Sequence, residues 1–478
     1  MTHDKRHDSG VRHDAVAEDY LQKRQLKKGA AGWVLLATLG VSYVISGDFA
    51  GWNLGIGVGG FGGMLIATIL MAIMYTAMVL SLAELSSSLP TAGGGYSFAR
   101  RAMGPWGGYI TGTAILLEYA IAPAAIAIFI GGYVNSLIGL DGPLVYAVFY
   151  IAFVGLHLWG AGEALRIMMG VTALAVIAIV VFIVGMLPHF DTARLFDIAP
   201  TQALGASLFL PNGYMGIWGA IPFAMWLFLA VEGVPLAAEE SRHPGRDMPR
   251  GIIAAMAVLL VFAFCMLLLA PGGAGARAMS TSAAPLVDAL NAVYGLGNWA
   301  ASFVNLIGLF GLIASFFSII FGYSRQVFAL SRAGYIPRIL SITSRRGAPV
   351  LALIVPGVIG FLLSLTGQGD LMITMAVFGA TISYAMMTLS HWLLRTREPD
   401  LARPYKTPGG RWTSGVALGL SIIAFISTFV VSLQAALWAG LFYAIMLAWF
   451  GLYSRKRLVA QAPEEEFDAI ASAEATLK

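Results

Sequence analysis

The sequence contains Ser46-Gly47-Asp48-Phe49-Ala50-Gly51-Trp52-Asn53 in the middle of its first long apolar segment. The residues on either side, 33–45 and from Leu54 onward, are apolar enough to form a membrane helix. Glycine weakens a helix by roughly 1 kcal/mol relative to alanine, and a carboxylate at the centre of a bilayer costs roughly 3 kcal/mol. A charge at the weakest point of a membrane helix is typical of a broken helix that lines a polar cavity. The stretch therefore predicts a discontinuous first helix and one half of a substrate site.

The composition is that of a polytopic membrane protein. Of 478 residues, 58% are hydrophobic and 11% are charged, and the mean hydropathy is +0.78. The single cysteine, Cys265, excludes an internal disulfide and a zinc finger. The net charge of +4 is spread over the ends of apolar segments rather than gathered in one patch, which argues against nucleic acid as a partner.

About twelve apolar segments have the length that spans a bilayer, which predicts an all-α fold. They fall near residues 32–57, 62–87, 106–137, 143–160, 166–187, 217–239, 250–271, 297–324, 349–366, 370–394, 414–433 and 436–454.

Basic residues predict the orientation of these spans. With the N-terminus inside, the outer loops hold only Arg194 and Arg277, and the other basic residues that flank the spans lie inside. Both termini are therefore predicted to be cytoplasmic, in a plasma membrane or bacterial inner membrane. The polar ends, 1–30 and 456–478, are predicted to be cytoplasmic tails, the first of them disordered.

The sixth span carries a second interruption, Phe228-Leu229-Ala230-Val231-Glu232-Gly233-Val234-Pro235. It again combines a carboxylate with residues that weaken a helix. Two matching defects five spans apart are typical of two inverted five-helix repeats, each opening with a discontinuous helix. The predicted units are a first repeat over 31–187, a second over 188–394 with its preceding extracellular loop, and spans eleven and twelve with their cytoplasmic loop over 395–455.

Three loop regions resemble those of the amino acid/polyamine/organocation permeases. They are Leu82-Ala83-Glu84-Leu85-Ser86 with Pro90-Thr91-Ala92-Gly93-Gly94-Gly95-Tyr96 and Gly104-Pro105; Ala238-Glu239-Glu240-Ser241-Arg242-His243-Pro244 with Arg246 and Pro249-Arg250; and Ser324-Arg325-Gln326 running to Ala333-Gly334-Tyr335-Ile336-Pro337.

Three further stretches look like the ethanolamine permease subgroup of that superfamily. They are Val44-Ile45-Ser46-Gly47-Asp48-Phe49-Ala50-Gly51-Trp52-Asn53, Leu117-Glu118-Tyr119-Ala120-Ile121-Ala122-Pro123 and Ala230-Val231-Glu232-Gly233-Val234-Pro235-Leu236-Ala237-Ala238-Glu239-Glu240. The resemblance implies a LeuT-type fold of five plus five inverted-repeat helices with two helices added at the end, working by alternating access.

Asp48 favours a cationic substrate. Amino acid permeases of this fold usually offer free backbone N–H groups of the first break to a substrate carboxylate. A carboxylate within that break disfavours an anion and favours an ammonium such as ethanolamine. The alternatives are that Asp48 caps the second half-helix by accepting its free N–H groups, or that it serves an ion or a proton.

The remaining site candidates carry similar alternatives. Glu232 matches the acidic position of the family's sixth-span break, and Phe228 lies where the family places an aromatic gate. The acids are either ligands or structural carboxylates, and the aromatic rings either hold an ammonium by cation–π contact or pack in the core. The candidate substrate-binding residues are Ser46, Gly47, Asp48, Phe49, Trp52, Glu118, Tyr119, Phe228 and Glu232.

The coupling ion is left open by the sequence. Some relatives carry a lysine in the fifth span as a fixed cation, whereas residues 167–174 contain none. Ser315, Ser318 and Thr172 form a candidate sodium site, although serines in membrane helices usually bond their own backbone. Uniport, proton symport and exchange all remain open. Glu84, Glu239 and Glu240 are predicted to be intracellular gate or structural ion-pair partners, not ligands.

The leading prediction is a secondary transporter that imports ethanolamine or a related small ammonium compound. The main alternative is an amino acid permease of the same fold, proton-coupled or an exchanger, and a remote one is a transporter-like amine sensor. No metal-ligand spacing and no nucleophile–base pair indicates an enzyme. No cofactor or metal is expected, and the oligomeric state is not indicated.

Overall fold

The computed structural model describes residues 11–14, 20–24, 31–91, 93–159, 161–459 and 462, with only the backbone described for 161–166. The first part of this region is helical. Its helices are α1 (Trp33–Val44), α2 (Ser46–Phe49), α3 (Trp52–Ser88), α4 (Gly95–Ile138), α5 (Pro143–Trp159), α6 (Ala161–Met186), α7 (Gly213–Trp226) and α8 (Pro244–Ala274), with 3-10 turns at Leu187–His189, Thr192–Phe196 and Val231–Glu240.

The second part continues in the same way. It contains α9 (Ala276–Met279), α10 (Pro285–Tyr294), α11 (Trp299–Arg332), α12 (Val350–Ser364), α13 (Gly369–Arg397), α14 (Arg411–Val431) and α15 (Leu433–Leu452), with 3-10 turns at Arg338–Ser341 and Ser454–Lys456. Two strands of two residues each, β1 (His13–Asp14) and β2 (Leu458–Val459), pair in parallel.

The membrane-spanning architecture agrees with the sequence prediction. Within the described ranges, nine helices are long and apolar enough to cross a bilayer, and three shorter apolar helices cover Trp33–Phe49, Pro143–Trp159 and Val350–Ser364. Nine and three give the predicted twelve. The protein is therefore an all-α polytopic membrane protein.

Two glycines divide helices where the sequence predicted boundaries between segments. Gly60 within α3 has a φ of 67° and Gly104 within α4 has a φ of 76°. Both values lie in the left-handed region, which glycine enters without the steric cost of a Cβ. Gly60 separates the end of span one from span two, and Gly104 separates a short helix from the long third span.

The first and sixth spans are discontinuous at the predicted positions. The first span consists of α1, α2 and the start of α3, and the sixth passes from α7 into the 3-10 turn that begins at Val231. These interruptions are enclosed by long helices, because α4 packs along α11 and α13, and α3 packs along α7 and α8. The division into two inverted repeats at residues 187 and 394 stays a prediction.

Ion pairs gather at the predicted cytoplasmic end of the helices. Glu84 binds the Arg395 guanidinium at 2.6 Å and that of Arg403 at 2.9 Å, and His391 lies 3.2 Å away. Glu240 and Arg325 form a fully buried pair at 2.8 Å. Glu239 binds Arg332 at 2.8 Å. The prediction that Glu84, Glu239 and Glu240 are ion-pair partners is thus met in the structure.

Parts of the predicted N-terminal tail pack against the bundle. β1 pairs with β2, Asp14 binds Arg338 at 2.8 Å, and the Tyr20 hydroxyl donates to the Arg332 carbonyl oxygen at 2.9 Å. The expectation of disorder is therefore wrong for 11–14 and 20–24, because backbone and side-chain partners hold them. The other residues of the predicted tails 1–30 and 456–478 lie outside the described residues, apart from 456–459 and 462.

Candidate substrate site

The first break is held open by its own polar groups. Ala50 is extended and Gly51 has a φ of 96°, a conformation that favours glycine. The Trp52 indole N–H donates to the Asp48 carbonyl oxygen at 3.1 Å, and the Gly51 N–H donates to Asn53 Oδ1 at 3.1 Å. Asn53, not Asp48, therefore accepts an N–H group at the start of the second half-helix.

Asp48 is fully buried. Neither of its carboxylate oxygens accepts a hydrogen bond from any residue that the structure describes. The capping alternative requires an N–H group donating to this carboxylate, and the described residues provide none. Cys265 of α8 lies within electrostatic reach of it. An unpaired buried carboxylate is costly. A cation bound beside Asp48, or a proton on its carboxyl group, would therefore stabilise it.

The aromatic rings of Phe49 and Trp52, next to Asp48, pack in the core of the helix bundle. Phe49 packs against Tyr133 in an edge-to-face arrangement with ring centroids 6.5 Å apart, and its two ring edges lie against Gly308 and Gly311 of α11. The Tyr133 hydroxyl donates to the Phe49 carbonyl oxygen at 2.9 Å. Trp52 is fully buried. For both rings the core-packing alternative describes what the structure shows.

Trp226, which the sequence analysis did not single out, ties the two breaks together. It ends α7, and its indole N–H donates to the Ala50 carbonyl oxygen at 3.0 Å. Its own carbonyl oxygen would lie 2.5 Å from a Cβ at Gly47. Only glycine at position 47 therefore permits this approach of the two broken helices. The signal that could have found it is an aromatic residue directly before the sixth-span break.

The second break turns at Ala230, whose φ is 76°. This is the left-handed region, which costs a non-glycine residue roughly 1 kcal/mol. Phe228 is buried beside it, with its ring centroid 5.4 Å from that of Tyr75. Phe228 thus packs under the break, and Trp226 is the aromatic residue that contacts the first break.

Glu118 and Glu232 meet between α4 and the second break. Both are buried, and their carboxyl groups lie close enough to interact directly. The Tyr119 hydroxyl donates to Glu232 Oε1 at 2.8 Å, and the Tyr384 hydroxyl donates to Glu118 Oε1 at 3.1 Å. The second oxygen of each carboxyl group has no hydrogen-bond donor among the described residues. The structure therefore brings three predicted site residues, Glu118, Tyr119 and Glu232, into one group. We call Glu118 and Glu232 the glutamate pair.

Two more tyrosines complete this group. Tyr43 stacks on Tyr119 with centroids 6.2 Å apart, and the Tyr75 hydroxyl donates to that of Tyr384 at 3.3 Å. Tyr43, Tyr75 and Tyr384 come from three different spans and were missed. Their only sequence signal is a polar tip within an apolar segment, which is common in membrane proteins.

Asp48 is not part of that group. In the described part of the chain, no hydrogen bond or ion pair joins Asp48 to Glu118 or Glu232. The predicted acids therefore form two centres, one at the first break and one at the second.

The candidate ion-site residues are only partly gathered. The Ser46 hydroxyl donates to that of Ser315 at 2.8 Å, and Ser315 donates to the Tyr43 carbonyl oxygen at 2.6 Å. Ser318 and Thr172 donate to carbonyl oxygens one turn earlier in their own helices, at 2.9 and 2.8 Å. Ser315 thus lies at the first break, and Ser318 also bonds the Ser42 hydroxyl of α1. Thr172 bonds the backbone of its own helix. The sodium site stays a prediction.

Comparison with known proteins places the chain in a family. The sequence profile described as "Amino acid permease" matches residues 32–451. An uncharacterized transporter of Rhizobium meliloti is 28% identical, over 86% of this chain and 89% of its own length. A branched-chain amino acid permease of Bacillus subtilis is 24% identical, over 82% and 86%. A methylthioribose transporter of the same organism is 23% identical, over 88% and 92%.

The profile covers most of the chain, from the residue before α1 to the last turn of α15. The relatives named for a function are permeases or transporters, which agrees with the twelve spans and with the two broken helices. The protein is therefore a membrane transporter and not an enzyme, and it belongs to the amino acid permease family, within the amino acid/polyamine/organocation superfamily that its loop motifs indicated.

Proposed function

We propose that this transporter imports a small primary ammonium compound, with ethanolamine as the substrate that fits best. The observation that carries the proposal is Asp48, a buried carboxylate at the first break without a partner among the described residues. A cation supplies the missing charge, because an opposite charge in a dry site stabilises both partners.

The glutamate pair adds to this preference. Asp48, Glu118 and Glu232 are all buried, and none forms an ion pair with a described lysine, arginine or histidine. The two breaks therefore hold acids without bases. Such a region attracts a cation and repels an anion.

Backbone donors at the first break also disfavour a carboxylate ligand. The N–H groups of Asp48, Ala50 and Gly51 already donate to protein acceptors at 3.0 to 3.1 Å. An amino acid carboxylate would have to displace these bonds and lie close to the Asp48 side chain. An amine with a hydroxyl group has no such conflict.

An amino acid permease of the same fold is the alternative. It is favoured by the relative named as a branched-chain amino acid permease, although that protein is only 24% identical. The methylthioribose transporter is similar at 23% identity, so relatives at this distance carry unlike substrates.

We further propose that the protein lies in the plasma membrane with both termini in the cytoplasm.

Uptake into proteoliposomes tests the proposal. Purified protein is reconstituted, and uptake of labelled ethanolamine, alanine and leucine is compared with protein-free vesicles. We expect ethanolamine uptake that excess alanine or leucine does not reduce. Transport of alanine or leucine without transport of ethanolamine would assign the protein to the amino acid permeases in substrate as well as in family.

A further inference from the structure

We propose that Glu118 and Glu232 share one proton in the empty transporter and that the ammonium substrate displaces it, so that transport exchanges one ammonium for one proton. This inference rests on the proposed function. It assigns the glutamate pair a different task from that of Asp48, namely holding the ion that travels in the opposite direction.

Among the residues that the structure describes, none that faces the pair is a base that could neutralise two negative charges. The titratable groups that face it are Tyr43 from α1, Tyr75 from α3, Tyr119 from α4 and Tyr384 from α13. The Tyr119 hydroxyl donates one hydrogen bond to Glu232, and the Tyr384 hydroxyl donates one to Glu118. Neutral hydroxyl donors stabilise one negative charge, but they do not balance two in a dry interior.

The nearby ion pair does not supply the missing positive charge. Arg325 acts electrostatically on Tyr43, as do Glu232 and Glu240. The Arg325 guanidinium, however, is bound by Glu240 at 2.8 Å. Chain order locates the pair: Tyr43, which precedes the first break in α1, stacks on Tyr119, and Glu232 lies at the start of the 3-10 turn that ends at Glu240. The pair thus lies between the first break and the ion pairs of the predicted cytoplasmic end. An ammonium that leaves Asp48 for the cytoplasm therefore passes the pair.

Two adjacent buried carboxyl groups without a base share a single proton, because like charges in contact cannot both remain ionised. An ammonium that moves from Asp48 to a position beside them favours the ionised form of both groups, so its arrival there expels the proton. The only bond that breaks is the O–H bond of one carboxyl group, and the proton passes to water. When the ammonium leaves, the pair takes a proton from the other side of the membrane.

Exchange follows from the return step. An empty transporter with two bare carboxylates would have to reorient through the bilayer with an uncompensated charge, which is costly. One proton on the pair lowers this cost, because it leaves a single negative charge that the tyrosine hydroxyls stabilise. The cycle then moves one positive charge in each direction, so the membrane potential does no net work on it. Uniport of the ammonium, in contrast, would gain about 2.3 kcal/mol per 100 mV, or roughly fifty-fold accumulation.

Proton release on binding is the first test. Ethanolamine is added to the purified transporter in a weakly buffered solution with a pH-indicating dye, at a pH where ethanolamine is already fully protonated. We expect about one proton released for each ethanolamine bound, and an affinity that rises by up to about tenfold per pH unit. Glu118→Gln and Glu232→Gln should release none. Asp370→Asn, which changes an exposed acid at the start of α13, is the matched control and should release as the wild type does.

Vesicles test the exchange itself. An acid lumen should drive ethanolamine uptake at zero membrane potential, and a potassium diffusion potential at equal pH should drive none. Protein-free vesicles and Glu118→Gln vesicles measure the leak of the neutral amine. Uptake that follows the potential, or ethanolamine binding without proton release, would overturn the exchange while leaving the amine transporter intact. Absence of both ethanolamine binding and uptake would instead reject the proposed function on which the exchange depends.

Discussion

At the scale of single residues, Asp48 and Ala230 are both held in energetically unfavourable states. Asp48 is a buried carboxylate without a partner among the described residues, and Ala230 holds a backbone conformation that suits glycine. Costs of this kind concentrate at functional sites, where the surrounding structure maintains them. Both residues lie at helix breaks, which is where the substrate is proposed to bind.

Replacement of Asp48 by asparagine should separate binding from stability. Hydrogen bonds to a charged group contribute about 1.5–3 kcal/mol, so Asp48→Asn should weaken ethanolamine binding by about tenfold to a hundredfold. The thermal stability of the purified protein should not fall, because the change removes an uncompensated charge. Uptake and thermal unfolding measure the two effects. Ethanolamine binding at the wild-type level would show that Asp48 does not recognise the cation.

Replacement of Ala230 by glycine should stabilise the protein. Relief of the left-handed conformation gains roughly 1 kcal/mol, partly offset by the greater freedom of glycine in the unfolded chain. We therefore expect a small rise in the unfolding temperature of Ala230→Gly. Ala257→Gly, at an exposed position inside α8, is the control and should lower the temperature. A lower temperature for Ala230→Gly as well would mean that its backbone is not strained.

At the scale of elements, the two broken helices are fixed to each other by close backbone approach. The Trp226 indole reaches the Ala50 carbonyl oxygen, and Gly47 lies under the Trp226 carbonyl oxygen. The positions of the breaks could be predicted because glycine, proline and carboxylates within an apolar run are local signals. The contact of Glu118 with Tyr384, 266 residues away, could not, because no local pattern encodes which helices pack together.

A methyl group at position 47 should separate the broken helices. A Cβ there would lie 2.5 Å from a backbone oxygen, which must move, and overpacking of this kind typically costs about 1–3 kcal/mol. Gly47→Ala should therefore lower both thermal stability and ethanolamine uptake. In Gly57→Ala the nearest atoms lie at 3.5 Å, so this control should behave as the wild type. Equal behaviour of the two variants would contradict the close approach.

At the scale of the whole molecule, the part of the chain that the structure describes contains twelve apolar spans joined by ion pairs. The number of spans follows from composition and length alone, and family membership agrees with it. That Glu84, Glu239 and Glu240 would form ion pairs could be predicted, but which arginine each of them meets could not. Glu240 meets a buried arginine, whereas Asp48 and the glutamate pair meet none among the described residues. That difference depends on tertiary packing, and it separates structural acids from the candidate site.

The ion pairs should differ in their contribution to stability according to burial. Glu240→Gln leaves Arg325 buried with an uncompensated charge, which typically costs about 3–5 kcal/mol. Glu398→Gln breaks the more exposed pair with Arg101, where side-chain exposures are 13% and 21%, and should cost at most about 1 kcal/mol. Thermal unfolding of the two variants in detergent measures this. Equal losses would show that burial does not set the strength of these pairs.

Calorimetric titration of the purified wild-type protein with ethanolamine, and separately with leucine and alanine, tests the central claim most directly. The buried acids at both breaks predict saturable ethanolamine binding that neither amino acid prevents, and that Asp48→Asn weakens by about tenfold to a hundredfold. Binding of leucine or alanine with no binding of ethanolamine would contradict a cationic substrate and leave the three buried acids with structural roles.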